Sequence, residues 1–337
     1  MKQFFKKCIL FVYLYIQDII PNGFFLFSNN ERIERSFLAL KKQANFIKQI
    51  GSNKMYSKML HQLIPGMELK LDKTSFLGKG LGGGSINVFR KIEENQKLLF
   101  EKIYFNKDIE LKVNIWFYEN LYDTLSADLI IPKIWKHFSG KKITALYYEY
   151  KELAPLTIMQ YQKDSLKILG VLYKITCFNE HNDKLKFYPN YIDSYKRHSF
   201  YKKRKSQYKS ELDANNIELN NVEIRLEKSK RIISHGDLNQ ENVYQGFSVI
   251  DWDSCGLFPL GFDSAYVYFQ LLNKDINIED FETWLFENFQ EIIEKSDWDD
   301  FLFNNYAFLL LFLSNNTFKS KNNQLYFWLI LKIKMNI

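Results

Sequence analysis

The residues with the clearest chemical potential lie between positions 233 and 253. The run Ile233-Ser234-His235-Gly236-Asp237-Leu238-Asn239-Gln240-Glu241-Asn242 sets an aspartate two residues after a histidine, and an asparagine five residues after that aspartate. Nine residues beyond Asn242, the apolar run Val249-Ile250 delivers Asp251 and Asp253 on either side of Trp252. Taken singly, each of these is more often a turn former or a helix cap. As an ordered set they meet the demands of phosphoryl transfer. One carboxylate must orient and deprotonate an acceptor hydroxyl, and side-chain oxygens must hold Mg2+ on the nucleotide phosphates. Asp237 suits the first task, and Asn242 and Asp251 suit the second.

A second cluster is made of glycine. Gly78, Gly80, Gly82, Gly83 and Gly84 place five of the chain's 14 glycines within seven positions, and Ser85 follows them. Glycine lets backbone N–H groups come close to phosphate oxygens. A dinucleotide-binding turn would open directly onto a helix, whereas Ile86, Val88 and Phe89 read as a strand. A P-loop would end in Gly-Lys-Ser/Thr, and this segment ends Gly83-Gly84-Ser85. A glycine lid between antiparallel strands, with a lysine on the next strand, fits better. Lys102, in Phe100-Glu101-Lys102-Ile103-Tyr104, is that lysine. An ammonium that grips phosphates needs a carboxylate to hold it, and Glu119 is the candidate, with Glu110 in reserve.

The elements that must position these groups follow from hydrophobic period and turn residues. Strand-like runs at Ile86–Phe89 and Leu98–Tyr104 flank the polar turn Glu93-Glu94-Asn95-Gln96. A helix is expected over Leu111–Leu125, then strands at Ile131–Ile134 and Ile143–Tyr150. From Leu156 onward the pattern is helical, broken by a β-rich island over Ile232–Ile250 that carries the acidic motifs. Tyr306–Leu313 reads as a buried helix.

With these residues in view, Ser234–Asn242, Val249–Asp253 and Gly261-Phe262-Asp263-Ser264-Ala265-Tyr266 resemble the aminoglycoside phosphotransferase and choline kinase-like family. Ile168-Leu169-Gly170-Val171-Leu172 is similar to the helix that follows the family's hinge, with His181 standing for a histidine common near its end. The resemblance spans roughly residues 75 to 270. It implies an α+β, two-lobed protein-kinase-like fold, with a small antiparallel β N-lobe and a mainly helical C-lobe. The divisions expected are a helical N-terminal extension over 1–73, a nucleotide-binding N-lobe over 74–153 and a C-lobe over 154–337. It also implies ATP or GTP as donor, Mg2+, and transfer of the γ-phosphoryl group to a small-molecule alcohol. By position, Asp237 is the base, Asn242 and Asp251 bind metal, and Lys102 binds phosphate. Glu149-Tyr150-Lys151-Glu152 forms the hinge that meets the nucleotide base through its backbone. Asp253 becomes a second metal or acceptor group, and His235 and Asp263 support the catalytic loop. Gly236 replaces the arginine of the protein-kinase His-Arg-Asp, and no Ala-Pro-Glu follows, which favours a small acceptor over a protein. A nucleotide-binding module without turnover is the competing reading. It is disfavoured because Lys102, Asp237, Asn242 and Asp251 are all present.

Composition narrows the rest. Apolar residues make up 46% of the 337, enough to bury a core and to exclude a disordered chain. Three widely spaced cysteines with no zinc spacing fit a reducing, cytoplasmic setting. The apolar stretch Cys8–Ile16 is too short to cross a bilayer, which leaves weak membrane association of the N-terminus open. The net charge of +7 is partly concentrated in Lys196, Arg197, Lys202, Lys203, Arg204, Lys205 and Lys209. That run reads first as a solvated helix face and second as an anion-facing patch; no nucleic-acid partner is expected from it. Glu279, Asp280, Glu282, Glu287, Asp297, Asp299 and Asp300, with Trp284 and Trp298, would suit a cationic acceptor instead. The sequence does not choose between them.

Overall fold

The computed structural model describes residues 73–78, 89–106, 108–140, 143–179, 192, 195–274, 280–314 and 323–337. The expected N-terminal extension (Lys73 apart), Gly80, Gly82, Gly83, Gly84, Ser85, His181 and Glu279 lie outside the described residues. The chain divides into two compact units, 1–111 with 133–151, and 112–132 with 152–337.

The first unit holds a five-stranded antiparallel sheet, with strands β1 (Lys73–Gly78), β2 (Phe89–Glu94), β3 (Lys97–Phe105), β4 (Ile134–Ser139) and β5 (Ile143–Glu149) in the order β1-β2-β3-β5-β4. The β2–β3 hairpin closes on Asn95 and Gln96 at φ 50° and 63°, the left-handed pair that matches the twist of the flanking strands. Alternation along β3 sends Leu99, Glu101 and Ile103 to one face and Lys102 to the other. Arg90, Glu101 and Tyr147 lie at one register level across β2, β3 and β5. Arg90 donates two hydrogen bonds to the Glu101 carboxylate, at 2.8 and 2.7 Å, and the Tyr147 hydroxyl donates a third at 2.7 Å. Both members of this ion pair are fully buried, so the charge is matched inside the sheet layer rather than solvated.

The second unit is mainly helical. Helix α1 (Ile109–Asn120), which belongs to this unit from Lys112 on, is followed by the single turn α2 (Tyr122–Leu125). The expected strand at Ile131–Ile134 begins only at Ile134. Pro132 cannot donate to a ladder, and Ile130 pairs in parallel with Ser248 instead. Then come α3 (Ile158–Asn179), α4 (Ser199–Asp213) and α5 (Leu219–Lys228). The β-rich island is present and runs further than expected. Strand β6 (Arg231–Ser234) pairs with β9 (Gly256–Pro259), and the hairpin β7 (Val243–Tyr244) with β8 (Ser248–Val249) lies between them in sequence. Helices α6 (Phe262–Leu272), α7 (Phe281–Phe289), α8 (Trp298–Leu313) and α9 (Asn323–Met335) complete the unit.

The Tyr306–Leu313 stretch is buried throughout, as its apolar run predicts, and α8 packs against α4, α6 and α9. Its polar residues are anchored within the core through their amide nitrogens and one amide oxygen, while Asn304 Oδ1 is buried without a hydrogen bond among the described residues. Asn304 donates to the Leu260 carbonyl at 2.8 Å, and Asn305 accepts from the Ser264 hydroxyl at 2.8 Å, which fixes the start of α6. The small antiparallel β unit and the mainly helical unit expected from the sequence are therefore both present.

Candidate active site

Strand β6 ends at Ser234 and hands the chain to a loop that carries His235, Gly236 and Asp237. Asp263, in the first turn of α6, receives this loop. One of its carboxylate oxygens accepts from the His235 N–H at 2.7 Å and the other from the Gly236 N–H at 3.0 Å. Burial pushes Asp263 up to about 7, against the opposing pull of those two N–H donors. Gly236 sits at φ 82°, and a Cβ there would meet the Ser254 carbonyl oxygen at 2.3 Å. No side chain fits without moving backbone.

His235 is fully buried. Its Nε2 lies 2.9 Å from the Ile250 carbonyl, which can only accept, so Nε2 carries the proton and Nδ1 is free to accept from the Asp237 N–H at 3.2 Å. Burial lowers its basicity and keeps the ring neutral. Trp252 packs beside it, at 4.6 Å between centroids, and stacks on Phe117 of α1 at 4.2 Å.

Asp237 itself is held on both oxygens. Oδ1 accepts from the Tyr266 hydroxyl at 2.8 Å and from Asn239 Nδ2 at 3.0 Å. Among the described residues Oδ2 receives only a long 3.3 Å contact from Asn242 Nδ2, whose main bond, at 2.8 Å, goes to the Asp237 carbonyl. Because the Asn242 amide nitrogen is committed to Asp237, its Oδ1 is left without a hydrogen bond among the described residues. The loop continues into the β7–β8 hairpin, with the Ile250 N–H donating to the Asn242 carbonyl at 3.0 Å. Asp251 follows at φ 65° with an exposed side chain. Asp253, half-buried, accepts from Asn114 Nδ2 on α1 at 2.6 Å.

The helical unit thus brings together Asp237, Asn242, His235 and Asp263, and presents Asp251 and Asp253 on the segment after β8. Several contributors have no signal in the motifs. Tyr161 donates to the Leu238 carbonyl at 2.6 Å, and Gln240 donates to the Leu156 carbonyl at 2.7 Å. His198 caps α4, with its Nδ1 accepting from the Phe200 N–H at 3.2 Å, and it bonds the Gly236 carbonyl; burial lowers it to about 4. Tyr266 was findable, since it lies three residues after Asp263 and so shares its helix face.

In the sheet unit, Lys102 is buried on β3 near Tyr104. Glu119 is exposed on α1 and Glu110 is half-buried. At the end of β5, the Glu149 and Tyr150 N–H groups are used by Lys133 and Leu98 at 2.8 and 3.0 Å. Lys151 is the first residue of the expected hinge whose N–H is unengaged among the described residues.

Among the described residues no three His, Cys, Asp or Glu side chains gather as a metal cage, and no helix is long and apolar enough to cross a membrane. Both charged clusters lie at the surface and are partly paired there, while Lys202 and Lys203 stand exposed on α4. Lys196 pairs with Glu223 and Glu227 at 2.8 and 2.5 Å, Lys205 with Glu223 at 3.4 Å, and Lys209 with Asp213 at 2.5 Å. Arg197 donates to the Cys255 carbonyl, and Arg204 lies over Phe200 and Phe269, where burial lowers it to about 10. Among the acids, Asp297 pairs with Lys230 and Asp300 with Arg225, at 3.1 and 3.6 Å. Glu282 binds Tyr306 and Lys332, and Asp280 caps α7. Trp284 is core.

No protein family and no curated protein matches the chain by sequence. Solved structures resemble it. Choline kinase from Cryptosporidium parvum Iowa II aligns over 84% of this chain and 96% of its own, with 12% identity and a TM-score of 0.49. Plasmodium vivax ethanolamine kinase covers 91% of this chain and 89% of its own, at 13% identity and a TM-score of 0.45. An aminoglycoside phosphotransferase covers 85% and 98%, at 11% identity and a TM-score of 0.45. The chain is similar in structure to proteins of the group its motifs resemble.

Proposed function

We propose that the chain is a phosphotransferase that moves the γ-phosphoryl group of ATP, or of GTP, to a hydroxyl of a small molecule. The observation that carries the reading is the state of the catalytic loop. Asp237 is fixed by neutral donors with one oxygen lightly engaged, and Asn242 is turned so that its amide oxygen is unspent. In this reading Asp237 takes the proton of the acceptor hydroxyl. Asn242 and Asp251 fit Mg2+, since they offer hard oxygens, and such a site needs only one or two protein ligands beside the phosphates and water. When bound, the ion would neutralise charge on the transferring phosphates. Lys102 and the glycine-rich segment from Gly78 to Ser85 are the proposed phosphate contacts. Lys151 is the hinge donor, and Glu119 a weaker candidate for orienting the lysine because of its exposure.

Release of ADP across a panel of small alcohols, with peptides as comparators, tests the reading. Turnover that requires Mg2+ and falls on the order of 10²–10⁴-fold in Asp237→Asn is expected. ATP binding without turnover on any acceptor would identify a nucleotide-binding module instead.

A further inference from the structure

The two oxygens of Asp237 are not equivalent, and the residue that makes them differ is Tyr266. The Tyr266 hydroxyl donates to Oδ1 at 2.8 Å, alongside Asn239 Nδ2 at 3.0 Å, while among the described residues Oδ2 has only the stretched 3.3 Å contact from an amide already committed elsewhere. Toward Asp237 the Tyr266 hydroxyl is the donor, because an ionised carboxylate only accepts, and burial beside that carboxylate keeps the hydroxyl protonated. Its ring is itself immobile. It is almost wholly buried and lies edge-on to Phe200 and Phe312 at 5.4 Å from each. It sits one turn along α6 from Asp263, so a single helix face fixes both the backbone of the loop and the carboxylate it carries.

We propose that Tyr266 is a positioning residue that saturates Oδ1 and leaves Oδ2 as the atom that receives the acceptor proton. This rests on the phosphotransferase reading above. The acceptor O–H bond breaks as its proton passes to Oδ2, and the oxygen lone pair forms the new bond to the γ-phosphorus. The bond from that phosphorus to the β,γ-bridging oxygen breaks, and its electron pair leaves on the nucleoside diphosphate. The proton on Oδ2 is returned to solvent after product departs. With one oxygen accepting two bonds, any turn about the Cβ–Cγ bond short of the half-rotation that merely exchanges the equivalent oxygens would lose both, and the reactive rotamer is held before the acceptor arrives.

Tyr266→Phe removes the hydroxyl and keeps the ring, so the aromatic packing is retained. A hydrogen bond to a charged partner is worth enough that kcat should fall about 10- to 100-fold. KM for ATP and acceptor should stay within about twofold, since the residue touches neither in this reading. A crystal structure of the variant should show the Asp237 carboxylate turned away, with the His235 and Gly236 N–H groups still on Asp263. Wild-type kcat in Tyr266→Phe, in a protein whose turnover is abolished by Asp237→Asn, would overturn the inference alone. An unchanged Asp237 rotamer would overturn it as well, whatever the kinetics. A wild-type protein that turns over no acceptor would overturn the phosphotransferase reading and this inference with it.

Discussion

Replacing Asp263 with asparagine separates what holds the catalytic loop from what holds the fold. The carboxylate accepts from two adjacent backbone N–H groups, at 2.7 and 3.0 Å, one on each oxygen. Asparagine offers one oxygen and must turn its NH2 toward the other N–H. That leaves a buried donor facing a donor, a cost of about 1–3 kcal/mol at the loop. Against this stands the burial of the charge. A carboxyl displaced from 3.8 to about 7 has its ionised form disfavoured by about 4 kcal/mol in the folded protein, even after the two hydrogen bonds. Asparagine escapes that penalty. Global stability at pH 8 should therefore rise by about 1–3 kcal/mol in Asp263→Asn, while turnover falls about 10- to 100-fold because the loop loses one of its two anchors. The pH dependence gives an independent reading. The folded value lies above the unfolded one, so between about 4 and 7 the folded protein holds more protons and gains stability as pH falls. Wild type should gain roughly 3 kcal/mol relative to the variant on going from pH 8 to pH 5. Urea unfolding at both pH values, with ADP release measured alongside, checks both effects. Full turnover in Asp263→Asn, or the same pH slope in both proteins, would refute the reasoning.

Two other buried charge arrangements make matched predictions. Arg90→Met leaves the Glu101 carboxylate uncompensated in the sheet and should cost about 3–5 kcal/mol in urea unfolding; Arg90→Met with Glu101→Leu should recover most of it, and equal loss in single and double variants would count against the pair. His198 is held at about 4, below its unfolded 6.5, so it binds a proton in the unfolded chain first and stability is lost as pH falls through that interval. His198→Asn keeps an acceptor for the Phe200 N–H and should remove about 3 kcal/mol of acid destabilisation between those values, seen as a flatter dependence of the urea midpoint on pH.

How much of this was legible in the sequence depended on range. The hairpin at Asn95-Gln96 and the buried helix ending at Leu313 follow from local period and turn chemistry, and both are present. The catalytic loop was legible as spacing, because an Asp and an Asn five residues apart on one turn-rich segment are brought together by that segment alone. The supports were not. Tyr161 lies 77 residues from the carbonyl it binds, and Asn114 lies 139 residues from Asp253; no local pattern encodes either contact. The strand expected at Ile131 failed for the same reason, since Ile130 takes its partner from Ser248. Charge clustering misled in a different way. Lys196 and Lys205 become partners of Glu223 and Glu227 once α4 and the turn before it meet α5, so charge counted along the sequence overstates what this surface presents.

The loop also bears on control of the activity. In a protein kinase the residue before the catalytic aspartate is an arginine that reads a phosphorylated activation segment. Here that position is Gly236, and a Cβ there would stand 2.3 Å from the Ser254 carbonyl oxygen, a backbone atom of the segment that follows Asp251. The two segments are packed too closely at this point for any side chain, and only twelve positions separate Asp251 from Asp263. The neighbours that replace the arginine are neutral. His235 is kept uncharged by burial, His198 is held down to about 4, and Tyr266, Asn239 and Asn242 carry no charge. Among the described residues of the helical unit, Asp237 therefore has no cation as a hydrogen-bond partner. Under the phosphotransferase reading proposed above, the geometry of Asp237 would be set by folding and not by a phosphorylation event.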